Sequence, residues 1–497
     1  MRARWVIGAT VTALAITATA TYVLTRGNSS ELTVGLSEPA SLLPGLVDDP
    51  AGRLVVSALW TPLTEVDPSG RPVPRLAASV TSPDQRVWAI RLRPGWRFHD
   101  GTPVTAHAVA GTWQASLTEG WRGAALLTDT LRVRGARSGA TDVPGLRVTD
   151  EHTIEVILDA PFAELPLALS SPALQPLPES ALSTRDWARF AVRPVGTGPY
   201  RLAGPWRRGH GASLHRFDGY IGPAPAPAAR VDLRVLDPAT QYADVRTGDL
   251  DLATDVPPDK HGAVGEAFGV RHRTWPQGET TYLGFARTDR RFANPGVRHA
   301  FSLAIDRAGL AAGPLGHQVS PLTALIPPGV PGARTGACRA CQYDEAAARA
   351  TLAGVGGLPA GPVHLWHQTS HAGWVTALAD QIGRALRITV LPRQLNGQSP
   401  ADGVFLIDHT VAYPSAYPVL MPLVGGHQPE VDRLCAAAAR HPDPDERLRG
   451  YRLAENIALR DLLLVPLWSR HGHAVWSPRV TTPPDAGLYG PRLDGIR

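Results

Sequence analysis

The stretch WAIRLRPGWRFHDGTPVTAHAV, residues 88–109, contains the signals of a strand, two turns and the start of a helix, in that order. Trp88, Ile90 and Leu92 alternate with other residues, which predicts a strand with one buried face. The Pro-Gly and Asp-Gly pairs that follow are typical of turns. Thr105 then predicts the N-cap of a helix that begins at the next residue.

His99 and Asp100 lie side by side in the second of these turns. An imidazole next to a carboxylate suggests a catalytic or metal site, but Asp100 followed by Gly101 is also a common turn sequence. We expect the pair to be structural, with Asp100 shaping the turn that leads into the helix.

Further strands and helices alternate along most of the chain, which favours an α/β fold. Asp237 predicts a helix N-cap, with Gly248 as the left-handed residue that ends the same helix. Asn294 and Asp443 predict two further N-caps, the first of a single helix over residues 295–310. The nearly continuous apolar run LLLVPLWS, residues 462–469, predicts a strand that is buried on both faces.

Length and composition predict an ordered protein with more than one lobe. The chain has 497 residues, of which 43% are hydrophobic and 19% charged, and the length exceeds that of one ordinary core. The formal net charge of +5 is small for this length, and the basic residues form no long cluster. These features argue against nucleic acid as a partner.

The N-terminus predicts export. Residues 5–24 carry no charge and follow the basic start MRAR. The segment is long enough to span a bilayer as an anchor, and Ala18-Thr19-Ala20 also fits a signal-peptide cleavage site. With no cysteine near it for lipid attachment, both readings place residues beyond 28 outside the cytoplasm, at the outer face of the cell membrane.

The remaining chemical signals are weak. Cys338 and Cys341 form a C-x-x-C in a loop, for which a local disulfide is the simplest interpretation outside the cytoplasm. Cys435 lies in a helical pattern, so we expect it to be buried. The chain has no G-x-S-x-G, H-E-x-x-H, P-loop or G-x-G-x-x-G sequence. The HGH sequence at residues 471–473 could hold a metal, but we expect a surface loop there.

Six motifs in the same order resemble a known family over about 450 residues of the chain. They are LTVGLSEPASLLPGL, WAIRLRPGWRFHDGTPVTAHAVAGTW, PVGTGPYRL, VRTGDLDLA, TYLGFARTDRRFANPGVRHAFSLAIDRAGL and YRLAENIALRDLLLVPLW. Together they resemble the extracytoplasmic solute-binding proteins of ABC importers, in the oligopeptide, dipeptide and nickel-binding family (family 5).

The resemblance implies a bilobed α/β fold, like that of the periplasmic binding proteins, with an extra subdomain in the first lobe. We divide the chain into residues 1–28 as signal peptide or anchor and residues 276–469 as the second lobe. The first lobe comprises residues 29–70, 191–275 and 470–497, and its subdomain residues 71–190. The lobes are expected to close by a hinge on a peptide or peptide-like small molecule and to dock on an ABC permease. We expect a monomer without catalytic activity, cofactor or metal.

The resemblance also predicts ligand-binding residues in the loops that face the cleft. The predicted residues are Ser37, Glu38, Tyr282, Trp366, Asp408, His409, Tyr413 and Tyr417. In the peptide-binding relatives an Asp precedes the tyrosine that aligns with Tyr413 and pairs with the peptide's ammonium group, whereas this chain has Ala412. A blocked or modified peptide, or another amphipathic small molecule, is therefore a better expectation than an ordinary free-amino peptide.

Three other functions stay open at this stage. The anchor and the altered loop also fit a membrane-tethered sensor that reports its ligand to a partner protein and transports nothing. A binder of nickel or another non-peptide solute is possible within the family, although the sequence does not assemble a histidine cluster in the cleft. A secreted enzyme on the same scaffold is disfavoured by the missing catalytic motifs.

Overall fold

The computed structural model describes residues 31–223, 226–397 and 400–496. The predicted signal peptide or anchor, residues 1–28, lies outside the described residues. Within the described ranges, every helix is too short or too polar to span a bilayer.

In the part of the chain that the structure describes, nineteen strands form four sheets, the largest of which contains eleven strands. The strands are β1 (Glu31–Leu36), β2 (Thr64–Val66), β3 (Pro72–Pro74), β4 (Ala77–Thr81), β5 (Val87–Leu92), β6 (Leu146–Asp150), β7 (Thr153–Ile157), β8 (Tyr200–Leu202), β9 (Gly211–Arg216), β10 (Arg230–Val235), β11 (Leu252–Ala253), β12 (His272–Phe285), β13 (Val319–Pro321), β14 (Val363–His367), β15 (Val390–Gln394), β16 (Val404–Thr410), β17 (Leu464–Trp476), β18 (Ala486–Gly487) and β19 (Gly490–Pro491).

The helices of eight or more residues pack around these sheets. They are α1 (Pro50–Leu59), α2 (Ala106–Glu119), α3 (Pro238–Thr247), α4 (Pro295–Leu303), α5 (Glu345–Gly354), α6 (Val375–Leu386), α7 (Tyr417–Val424), α8 (Pro429–Arg440) and α9 (Pro444–Arg460). Shorter α-helices lie at Arg122–Ala125, Leu165–Ala168, Glu179–Thr184, Trp187–Val192, Val264–Phe268 and Arg307–Ala312.

Two long strands, β12 and β17, connect the two lobes through the centre of the large sheet. On one side β17 is followed by β11, β1, β10, β9 and β8, which form the first lobe. On the other side β12 is followed by β16, β14 and β15, which form the second lobe. The pairing of β12 with β17 is interrupted between Pro276 and Thr280, so the path from lobe to lobe contains an irregularity.

The opening stretch of the sequence forms part of a separate four-stranded antiparallel sheet in the order β4-β5-β7-β6. Trp88, Ile90 and Leu92 are buried on one face of β5. The Thr105 hydroxyl accepts a hydrogen bond from the Ala108 amide at 3.2 Å and caps α2. The predicted strand, turns, cap and helix are therefore confirmed, and this sheet is the core of the subdomain.

His99 fastens the turn of this stretch to the first lobe. Its Nδ1 accepts from the Gly196 amide and its Nε2 contacts the Gly198 carbonyl, both at 3.1 Å. A Cβ atom at Gly196 would overlap the Leu59 carbonyl, so the close approach requires glycine. Burial lowers the pKa of His99 to about 4. The structural interpretation of His99 is confirmed.

Three local expectations have clear outcomes. Cys338 and Cys341 form a disulfide, and Cys435 is a buried free thiol. The single helix expected over residues 295–310 is wrong, because the chain breaks after α4 and Asp306 caps a second short helix. HGH is not a loop, because β17 extends through it to Trp476.

Candidate ligand-binding site

A cavity of about 310 Å³ lies where the first lobe, its subdomain and the second lobe meet. We call it the interlobe cavity. Its wall comprises Val47, Asp48, Arg53, Arg122, Ala125, Leu126, Asp129, Thr130, Ser171, Pro172, Ala173, Gln277, His409, Thr410, Val411, Ala412, Pro418, Pro422, Leu488 and Tyr489. Most of these residues are apolar, and Gln277 lies in the irregular part of β12.

A second cavity of about 270 Å³ adjoins the first and shares His409 and Thr410 with it. We call it the Asp408 cavity, because the Asp408 carboxylate faces it. Trp374 and Trp468, whose ring centroids are 4.8 Å apart, form part of its wall. A ligand that spans both cavities would meet an apolar space at the lobe boundary and a polar end inside the second lobe.

Asp408 is held in place by two hydrogen bonds that leave it accessible. Its Oδ1 accepts from the Thr281 hydroxyl at 2.8 Å, and its Oδ2 accepts from His371 Nε2 at 2.7 Å. The Asp408 side chain is nevertheless 44% exposed, whereas that of His371 is 4% exposed. Since carboxylate oxygens have further lone pairs, Asp408 can accept another hydrogen bond from a ligand.

The charge states in this cavity follow from the same contacts. His371 Nδ1 accepts from the Gln368 amide, so the ring proton is on Nε2, which donates to Asp408. Burial alone would raise the pKa of Asp408, but the contacts with His371 and Thr281 hold that pKa below its usual value. Asp408 is therefore an anion at neutral pH.

His409 lies on the wall between the two cavities and is neutral. Burial lowers its pKa to about 4, although a contact with the Pro418 carbonyl favours the protonated ring. Its Nε2 has no hydrogen-bond partner among the residues that the structure describes. The His409 ring therefore adds no charge to the cavity wall at neutral pH.

The cations of the interlobe cavity are already paired. Arg53 forms an ion pair with Glu279 and donates to the Asp48 carbonyl at 2.7 Å. Arg122 forms an ion pair with the Asp48 carboxylate. These pairs reduce the net charge that the cavity presents to a ligand.

Six of the eight predicted ligand-binding residues lie outside both cavities, and four of them are used in local structure elsewhere. The Ser37 amide and hydroxyl donate to Asp255, and Glu38 accepts from Trp206 and from the Gly209 amide. Tyr282 is buried and its hydroxyl donates to the Leu325 carbonyl at 2.6 Å. The indole of Trp366, which lies on β14, donates to the Asp402 carbonyl. Each is used in local structure.

Tyr413 lies in the loop beside the interlobe cavity and Tyr417 is the first residue of α7, and both side chains contact the subdomain. Tyr413 is fully buried, and its hydroxyl donates to Glu164 at 3.2 Å. The Tyr417 ring packs edge-to-face on Phe162, with centroids 5.1 Å apart. Of the eight predicted residues, Asp408 and His409 are the two that line the interlobe cavity or the Asp408 cavity.

The sequence did not predict the residues that other segments bring to the cleft. Arg53 and Arg122 come from α1 and from the short helix after α2, and Tyr489 comes from the C-terminal segment. The Tyr489 hydroxyl donates to the Ala412 carbonyl at 3.1 Å and fixes the loop beside the cavity. Only the lobe arrangement reveals these contacts.

A histidine cluster exists, but it lies beside β12 and β17 and not in either cavity. The His261 and His272 rings each stack on the His473 ring, with centroids 4.1 and 5.5 Å from it. The His471 ring meets His473 edge-on at 5.4 Å. Within the described ranges, no three histidine, cysteine or acidic side chains are arranged to hold a metal ion.

Most of the chain is similar in sequence to known bacterial solute-binding proteins. The model of the family of bacterial extracellular solute-binding proteins, family 5, matches residues 71–379. The glutathione-binding protein GsiB of Escherichia coli K12 is 24% identical over 456 residues, which cover 86% of each chain. The probable D,D-dipeptide-binding periplasmic protein DdpA of Escherichia coli K12 is 26% identical, covering 78% of this chain and 77% of DdpA.

Solved structures show the same fold. The Escherichia coli murein tripeptide binding protein MppA has a TM-score of 0.76 at 20% identity, covering 94% of this chain and 98% of MppA. The clavulanic acid biosynthesis oligopeptide binding protein 2 has a TM-score of 0.79 at 22% identity, covering 94% and 95%. The bilobed architecture expected from the sequence is confirmed.

Proposed function

The chain belongs to family 5 of the bacterial extracellular solute-binding proteins, and from this membership we propose that it is the receptor of an ABC importer. It captures a peptide or peptide-like small molecule between its lobes and delivers it to a membrane permease. The interlobe cavity carries the proposal, because its wall comes from both lobes beside the strands that connect them. A ligand that contacts both lobes favours their closed arrangement.

The proposed ligand is short and amphipathic. The relatives are named for glutathione, a D,D-dipeptide and a murein tripeptide, all of them short peptides. Two adjoining cavities of about 310 and 270 Å³ fall within the range of roughly 300–1,000 Å³ for small-molecule sites when taken together. The apolar wall of the first and the carboxylate of the second suit a molecule with one apolar and one polar end.

Asp408 is the residue that we propose to bind the polar end of the ligand, by accepting a hydrogen bond from a ligand N–H group. Asp408→Asn removes the negative charge and should weaken binding by about tenfold or more, because hydrogen bonds to charged groups contribute about 1.5–3 kcal/mol. Asp402→Asn is the matched control, because Asp402 also contacts a histidine, His364 at 2.8 Å, but lines neither cavity. Calorimetric titration of both variants would contradict this role of Asp408 if they bound the identified ligand equally well.

The remaining predicted residues are assigned more narrowly. We propose His409 as a direct contact, and Tyr413 and Tyr417 as the support of the loop that forms the cavity wall. For Ser37, Glu38, Tyr282 and Trp366 a ligand role rests on the family resemblance alone. Ala412, in place of the relatives' carboxylate, supports a blocked or modified peptide as ligand.

The decisive experiment identifies the ligand. The purified protein is incubated with an extract of its host's growth medium, and native mass spectrometry measures the mass of the bound molecule. Ala412→Trp should abolish binding by filling the interlobe cavity, whereas Ala353→Trp, on the exposed face of α5, should not. A protein that binds nothing from the extract, or an Ala412→Trp variant that binds as well as the wild type, would contradict the proposal.

We further propose that the protein is a monomer at the outer face of the membrane, that its second lobe extends from residue 276 to residue 469, and that it has no catalytic role.

The role in import has a physiological test. A strain that lacks the protein should lose uptake of the identified ligand and regain it with the wild type but not with Ala412→Trp. If uptake persists and only a cellular response to the ligand is lost, the tethered-sensor function replaces the importer function.

A further inference from the structure

Glu164 belongs to the subdomain, and the subdomain is firmly attached to the first lobe. Trp121, Leu177 and Phe190 of the subdomain segment share one hydrophobic core with the first lobe. The Trp60 indole donates to the Pro176 carbonyl at 3.0 Å, which ties α1 to the same segment. We therefore expect the subdomain to move with the first lobe when the cleft opens, and to separate from Tyr413 and Ala439 of the second lobe, which pack into the subdomain's own core.

The Glu164 carboxylate nevertheless lies among groups of the second lobe. It accepts hydrogen bonds from the hydroxyls of Ser415 at 2.7 Å, Tyr451 at 2.9 Å and Tyr413 at 3.2 Å. Arg447 Nε lies 3.5 Å from Oε1. Glu164 is 2% exposed, so this carboxyl group is fully enclosed between the two lobes.

Neighbouring contacts extend this junction. The Ala163 amide donates to the Ala439 carbonyl of α8 at 2.7 Å, and Phe162 packs on Tyr417 of α7. Because these partners belong to the second lobe, separation of the lobes must break the contacts and return the carboxyl group to water. The Tyr413 loop would then lose its support beside the interlobe cavity.

We propose that Glu164 is a positioning residue that latches the closed cleft, and that its enclosure couples closure to the uptake of one proton. The inference rests on the proposed function only in requiring that the two lobes open and close. A carboxyl group that leaves water favours its neutral form unless a counter-ion compensates fully. Arg447, at 3.5 Å from Oε1, compensates only in part. In the neutral form it can donate to one hydroxyl and accept from the others.

The charges around Glu164 support this direction. Arg447 is the nearest cation, but its Nη1 already donates to the His441 and Pro442 carbonyls, and only Nε approaches Glu164. The other titratable groups that act on the carboxyl group or are acted on by it are Tyr413, Tyr417, Cys435 and Tyr451. Burial raises the pKa of Glu164, and the hydroxyls and Arg447 oppose this only partly.

The raised pKa of Glu164 makes the closed fraction of the protein depend on pH. In the open form the carboxyl group is in water and has an ordinary pKa, whereas in the closed form the pKa is raised. Protonation therefore favours the closed form, and the closed fraction of the empty protein falls as the pH rises through the raised pKa.

Small-angle X-ray scattering of the empty protein tests the latch between about pH 6 and about pH 9, a range that lies above the ordinary pKa of a glutamate. The wild type should expand as the pH rises, and Glu164→Gln, which imitates the neutral acid, should keep the smaller radius of gyration throughout. Glu164→Ala should have the larger radius at every pH. Glu266→Gln, at an exposed site of the first lobe, should follow the wild type.

Two results would overturn the inference. If Glu164→Ala and the wild type have the same profile, Glu164 is no latch. If the wild-type radius does not change with pH, or Glu164→Gln changes in the same way, closure takes up no proton at this residue. Neither result bears on ligand capture, because no ligand is present in the experiment.

Discussion

Arg307 brings a guanidinium group into the core of the second lobe, where it binds mainly backbone oxygens. Its nitrogens donate to the carbonyls of Pro466, Cys341, Ser302 and Ile305 and to the Ser302 hydroxyl, at 2.7–3.2 Å. Burial lowers the pKa of Arg307 to about 9. The residue joins the end of α4, the disulfide loop and β17 through one side chain.

Arg307→Met should therefore be strongly destabilising. Several buried carbonyl groups would lose their donor, and leaving such groups unsatisfied costs about 1–3 kcal/mol each. We expect the free energy of unfolding in urea to fall by about 3 kcal/mol or more. Arg290→Met at an exposed position should change it by less than about 0.5 kcal/mol. Equal stabilities of the two variants would contradict the structural role of Arg307.

Sequence reasoning found part of the site at the level of single residues. Asp408 and His409 end a strand whose apolar pattern is clear, and the structure places both on cavity walls. Arg53 and Glu164 could not be placed, because their partners lie far away in the sequence and meet them only when the lobes dock. A lone carboxylate in the apolar segment APFAELPLALSS was the available signal for Glu164.

A single glycine of β12 lies where this strand passes from one lobe to the other. Gly278 has φ +68° and lies in the interruption between the two paired blocks of β12 and β17. A Cβ atom there would lie 2.6 Å from Leu488 Cδ1, on the wall of the interlobe cavity. Backbone conformation and space both require glycine.

Gly278→Val should lower the stability of the protein by about 2 kcal/mol or more. The left-handed backbone alone costs an L-residue about 1–2 kcal/mol, and the contact with Leu488 adds to it. Gly487→Ala is the control, since its backbone is unstrained and its Cβ meets open space. Urea unfolding that ranks the two variants equally would show that the interruption in β12 tolerates a side chain.

Helix and strand ends were predicted well where nearby residues in the sequence determine them. The caps at Asp237, Asn294 and Asp443 and the left-handed Gly248 are confirmed. Polar residues at 470–473 suggested that the last strand stops early, but β17 continues because its partners β13 and β12 supply hydrogen bonds there. Pairing across the sheet therefore extended an element that its own residues did not predict.

For the whole molecule, the ordered motifs predicted the bilobed fold because each combines a turn, a cap and a buried face in a fixed sequence. The arrangement of side chains between segments was not predictable in the same way. Histidines from three separate segments, namely His261, His272 and the pair His471 and His473, meet beside β12 and β17, and the HGH sequence indicated only a part of that cluster.

These buried histidines predict that acid destabilises the whole protein. Burial lowers the pKa of His99 and of His409 to about 4 and that of His473 to about 3, the neighbouring histidines adding to the effect at His473. In the unfolded chain each has an ordinary pKa of about 6.5. As the pH falls below that value, the unfolded chain binds protons that the folded protein does not.

The free energy of unfolding should therefore be greatest above about pH 6.5 and fall by about 1.4 kcal/mol per pH unit for each of these histidines, down to its folded pKa. Between about pH 6 and about pH 5, His473→Gln should reduce the change in the free energy of unfolding by about 1.4 kcal/mol per pH unit, which is the contribution of one proton. His107→Gln, at an exposed position, should leave this slope unchanged. Urea unfolding as a function of pH measures both slopes. If His473→Gln keeps the wild-type slope, the His473 ring is protonated in the folded protein, and its stacking contacts with His261 and His272 must then accommodate a positive charge.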